Sequence, residues 1–70
     1  MTTNESALLA EMQNMDYSYG LCIMALYILS KSKLAVSDML AFIYDERPSE
    51  EEFIQELARI CEGNGWNANK

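Results

Sequence analysis

The sequence predicts an all-α protein: a small helical bundle with one long N-terminal helix and two shorter ones. Three observations carry that prediction. Apolar residues recur at spacings of four and three through Leu8, Met12, Met15, Tyr19, Cys22, Leu26 and Leu29, which lines one seam of a helix. Val36, Met39, Leu40 and Ile43 repeat at i, i+3, i+4 and i+7, again one helical face. Ser49-Glu50-Glu51-Glu52 then stands directly before the apolar set Phe53, Ile54, Leu57, Ile60 and Cys61, the pattern of a capped helix start. No alternating strand pattern competes with these.

The first helix is expected from about Asn4 to about Lys31. Thr2-Thr3-Asn4-Glu5 has the spacing of a capping box at its start. Asn14, Asp16, Ser18 and Gly20 are indifferent or poor helix formers, and Gly alone costs about 1 kcal/mol relative to Ala. A break with Asp16 as a new N-cap is therefore the alternative to one continuous helix, but the seam keeps its phase across the stretch and favours continuity. From Leu21 to Leu29 every residue is apolar, so this part must be covered on several sides, by the chain's own C-terminal half and by a second subunit. Lys31, Ser32 and Lys33 suit its polar end.

Ser37 is placed to cap a short second helix running through about Asp45, and Arg47-Pro48 ends it because the residue before proline leaves the helical region. The third helix starts at the Ser49 capping box, with its acids at the positive end of the dipole. Gly63 is expected to close it, so residues 1–63 form a single helical domain and 64–70 a flexible tail with Trp66 as its only large apolar group.

A chain of 70 residues is near the size at which burial and ordering entropy come out level, so a staple is expected. The two cysteines, Cys22 and Cys61, lie far apart on apolar faces and read as core residues, which leaves self-association as the staple. A homodimer is expected, with Leu8, Met12, Met15, Tyr17 and Tyr19 as its interface or as the surface for another partner. Tyr17 and Tyr44 suit an interface, while Tyr19 and Tyr27 are expected to be partly buried.

Net charge is −6 and the acids gather in the second half, which disfavours direct contact with nucleic acid or an anionic membrane. The uncharged stretch Tyr17–Ser30 has fourteen residues, short of the roughly twenty a membrane span needs. The first sixteen residues hold no Lys or Arg, unlike a secretory leader, so a cytoplasmic location is expected. The chain has no His, no glycine-rich phosphate loop and no nucleophile paired with a base, so the reading is non-enzymatic with no cofactor or metal. Asp45 and Glu56 are first and twelfth in a calcium-loop window, but Arg47 and Glu50 occupy its third and sixth positions and Pro48 distorts it. A DNA-reading helix after Ser49 would meet phosphates with three glutamates, which repel them.

The remaining class is binding. Asp45, Glu46, Glu50, Glu51, Glu52 and Glu56 form a candidate acidic patch for a basic partner, such as a nucleic-acid-binding protein. The expected function is a small regulator or inhibitor that occupies a partner's surface, and phage or mobile-element inhibitors of nucleic-acid-handling (counter-defence) machinery are one class that fits. The alternative is a structural or accessory subunit that docks onto a larger complex through its apolar seam, with the acids serving solubility.

Overall fold

The computed structural model describes residues 1–66, which form four helices: α1 (Thr3–Asn14), α2 (Tyr19–Leu29), α3 (Lys33–Glu46) and α4 (Glu50–Gly63). The protein is all-helical, as its periodicity predicts. The third helix in order, α3, touches the other three, and α4 lies chiefly against it. One core runs through the middle: Leu8 and Met12 from α1, Leu21, Cys22, Ala25 and Leu29 from α2, Val36, Met39 and Ile43 from α3, and Phe53 and Leu57 from α4.

The expected long first helix is two helices. The chain leaves α1 at Met15, and Asp16 takes the left-handed conformation at φ 62°. The Asp16 N–H donates to the Gln13 carbonyl at 3.0 Å and the Tyr17 N–H to the Met12 carbonyl at 3.1 Å. That pair of bonds is a Schellman closure, which satisfies the last free carbonyls of the helix. Tyr17 and Met12 are both buried, supplying the apolar contact that accompanies such a closure. Asp16 is thus the residue that stops α1 and does not cap α2. The N-cap of α2 is Ser18, whose hydroxyl accepts from the Leu21 N–H.

The apolar seam keeps its spacing across this break because α1 and α2 send their apolar residues into the same core from two directions. Its phase fails at Tyr19, which points outward.

Both expected capping boxes are present, Thr2 with Glu5 and Ser49 with Glu52. The cap of α3 is Ser32 and not Ser37, so this helix starts about one turn earlier than expected and Ser37 lies within it. Arg47 closes α3 in the left-handed region at φ 46°, its N–H on the Ile43 carbonyl at 3.0 Å, just before Pro48. The closing glycine of α4 is Gly65 at φ 73°, two residues beyond the expected Gly63. Its N–H reaches the Glu62 carbonyl while the Trp66 N–H reaches the Cys61 carbonyl at 2.8 Å, a second Schellman closure. Trp66 is therefore not the start of a loose tail: it packs against the core, with the Lys31 ammonium 5.6 Å from its ring centre. The rest of the expected tail, 67–70, lies outside the described residues.

The conformation of Asp16 makes an opposite-sign test of the break. A glycine there escapes the left-handed penalty, so Asp16→Gly is expected to raise stability by roughly 0.5–1 kcal/mol. In a continuous helix the same change lowers it by roughly 0.3 kcal/mol, since Asp ranks only just above Gly as a helix former. The shift of the urea midpoint at unchanged slope reads the sign.

Candidate functional site

Two surfaces stand out once the helices are in place, an acidic one at the α3–α4 corner and an apolar one along α2. The corner is tied to the break between α1 and α2 by three contacts between residues far apart in the chain. The buried Tyr17 hydroxyl donates to the Pro48 carbonyl at 2.7 Å. The Ser18 N–H donates to the Glu50 carboxylate, and Arg47 pairs with Glu11 at 3.0 Å. The Tyr17 ring also meets Phe53, with centroids 5.0 Å apart and planes tilted by 49°. The amide at the start of α2 is thereby answered by the first turn of α4.

These ties consume part of the acidic patch. Glu50 caps the start of α2, where its charge suits the positive dipole end. Glu52 accepts from the Ser49 N–H, and Glu56 forms a two-pronged pair with Arg59. Asp45, Glu46 and Glu51 are exposed and make no hydrogen bond among the described residues. Glu46, Glu52 and Glu56 share one shallow depression with Phe42 and Gln55. The six acids are hence not a single surface: Glu50 faces α2, and three of the others line a depression that Phe42 and Arg59 share.

The apolar stripe expected to receive a partner is mostly inside. Leu8, Met12 and Tyr17 are buried in the chain's own core and Met15 is half-buried, because the break at Asp16 folds α1 back over α3. Tyr19 alone of that set is open to solvent. The tyrosines also exchange roles: Tyr17 is the buried one, while Tyr19 and Tyr27 are 76% and 75% exposed. Tyr44 is exposed, as an interface candidate should be.

The open apolar surface lies on α2, and Ile23, Met24 and Tyr27 are the residues that sequence reasoning missed. Leu21, Cys22, Ala25 and Leu29 face the core, whereas Tyr19, Gly20, Ile23, Met24 and Tyr27 face out. At 3.6 residues per turn the outward set spans an arc of roughly 140°. No residue of α2 is charged. Ile23, Leu26, Tyr27 and Ser30 frame a depression completed by Met1 and Glu5 from the start of α1. The signal that marks this face in the sequence is the all-round apolarity of Leu21–Leu29, joined to Ser18 as the cap that separates α2 from the seam.

Neither cysteine is placed for chemistry. Cys22 is buried, its thiol toward the Tyr17 carbonyl, and burial followed by the Glu50 charge pushes its pKa up, away from the reactive thiolate. Cys61 is half-buried and unbridged. Among the described residues no three His, Cys, Asp or Glu groups are gathered so as to hold a metal, and no helix is long and apolar enough to cross a membrane. Comparison of the chain with protein-family models, curated proteins and solved structures finds no match.

The Tyr17 contact makes two expectations. Tyr17→Phe keeps the ring but leaves the buried Pro48 carbonyl without its donor, at a cost of about 1–3 kcal/mol. Burial, then the nearby Glu50 charge, holds the Tyr17 phenol above its ordinary value of 10.0. The folded protein thus keeps this proton after the unfolded chain has lost it. The bond's contribution is whole below pH 10.0 and drains as pH rises past that point toward the folded value. Urea denaturation at stepped pH should show a constant stability gap between the unaltered protein and Tyr17→Phe up to about pH 10, then a narrowing one.

Proposed function

We propose that this chain is a non-enzymatic protein-interaction module whose contact surface is the uncharged outer face of α2. The observation that carries the proposal is Tyr19, Ile23, Met24 and Tyr27 standing exposed, side by side, on a helix with no charge. Tyrosine and methionine offer large contact area to a partner. No charged residue lies on α2 itself and Glu5 of α1 stands only at the rim, so docking here buries little charge. This is the accessory-subunit reading, moved from the seam to the opposite side of α2.

A regulator acting through its acids is the second reading, favoured by the convergence of Glu46, Glu52 and Glu56 in one depression. It would attract a basic surface, with the salt sensitivity that implies. Internal duties weigh against it, because Glu52 caps its own helix and Glu56 is neutralised by Arg59.

Capture of partners from the native host separates the two. Binding through α2 persists as salt rises and is lost in Ile23→Asp, while Glu46→Gln with Glu51→Gln leaves it intact. Binding that falls steeply with salt and is lost in the Glu46→Gln, Glu51→Gln variant, but not in Ile23→Asp, sinks the α2 reading in favour of the acids.

A further inference from the structure

We infer that the occupant of the α2 face is α2 of a second copy, paired antiparallel. The inference rests on the reading of that face given above and names its partner. The face is self-complementary. Tyr19 projects near one end, and Ile23, Leu26, Tyr27 and Ser30 frame a depression toward the other. Those four residues stand at i, i+3, i+4 and i+7, the diamond into which a facing helix inserts one side chain in knobs-into-holes packing. In an antiparallel pair with its twofold axis opposite Ile23, midway between Tyr19 and Tyr27, the Tyr19 ring of each copy enters the diamond of the other. Glu5 at the rim spends one carboxylate oxygen on the Thr2 N–H and has the second free to accept the Tyr19 hydroxyl.

Charge selects the same arrangement. Near its start α2 is flanked by Asp16 and by Glu50, and just past its end by Lys31. Antiparallel pairing brings Asp16 and Glu50 toward the partner's Lys31 and opposes the two helix dipoles, although Glu5 lies on the Lys31 side; parallel pairing would bring like ends together. The net charge of −6 resists association elsewhere, but α2 itself carries no charge to repel its copy. Gly20 lies on this face with open space beside it. A face about 16 Å long lies at the low end of specific interfaces, so the dimer is concentration-dependent.

Sedimentation equilibrium over a chain concentration series up to about 1 mM tests this, with Tyr19→Ala and Ile23→Asp beside the unaltered chain. A monomer–dimer equilibrium is expected, weakened at least tenfold by Tyr19→Ala and abolished by Ile23→Asp. Tyr19 touches little of its own chain, so Tyr19→Ala should keep its helical circular dichroism and decides the matter even if Ile23→Asp unfolds. Orientation is read in a Cys61→Ser background with a short bis-maleimide. Tyr19→Cys mixed with Tyr27→Cys should cross-link better than either alone.

A chain monomeric throughout overturns the inference, as does a dimer indifferent to Tyr19→Ala or a mixture that cross-links no better than its parts. If the chain is monomeric and Ile23→Asp still abolishes salt-resistant capture of a host protein, only the second copy is refuted. If capture also ignores Ile23→Asp, the reading of the α2 face falls with it.

Discussion

The hydrogen bond from the Tyr17 hydroxyl to the Pro48 carbonyl is the constraint on which the rest of this fold depends. It joins two corners 31 residues apart, and both of its partners are buried. A polar group buried without a partner costs a large part of a small domain's stability, so neither corner can move without the other. With Tyr17 fixed, Ser18 comes to the Glu50 carboxylate and the ring lies on Phe53. The directions in which α2 and α4 leave their corners are set by that single junction.

A chain this small needs more than its core, and the junction supplies a staple between its corners. Helix ends are closed beside it as well. Glu50 answers the free amide at the start of α2, Pro48 and Arg47 close α3, and the left-handed Asp16 closes α1. The remaining core is apolar throughout, with α3 at its centre touching every other helix. Tertiary ties between corners thus set the order of the helices, and apolar burial against α3 holds them together.

Much of this architecture is legible in the sequence where one residue type does one local job. Thr2 with Glu5 and Ser49 with Glu52 cap as their spacing says, and Val36, Met39 and Ile43 face the core as theirs says. The break at Asp16 is not legible in the same way. The left-handed stop is a role glycine usually fills, and here an aspartate fills it while Gly20 sits unused inside α2. A seam that keeps its spacing in the sequence then disguises the corner, because α1 and α2 both face α3. Ser32 and Ser37 are equally good caps by type, and only the packing of Ala35 and Val36 chooses the first. The exchange of Tyr17 for Tyr19 comes from the same turn: two positions apart in a corner, one hydroxyl finds Pro48 and the other finds solvent.

That exchange also moves the chemically informative surface. With α1 folded back, the residues of the seam that precede the corner have their partners inside the chain. The helix after the corner is apolar all round and buries only one side, since α1 and α3 together cover Leu21, Cys22, Ala25 and Leu29 and no described element remains for the opposite face. Glu5, Glu50 and Glu52, meanwhile, answer amides at helix starts, while Asp45, Glu46 and Glu51 stay open to solvent. The uncharged outer face of α2 is thus the part of this acidic protein whose burial its own described residues do not complete.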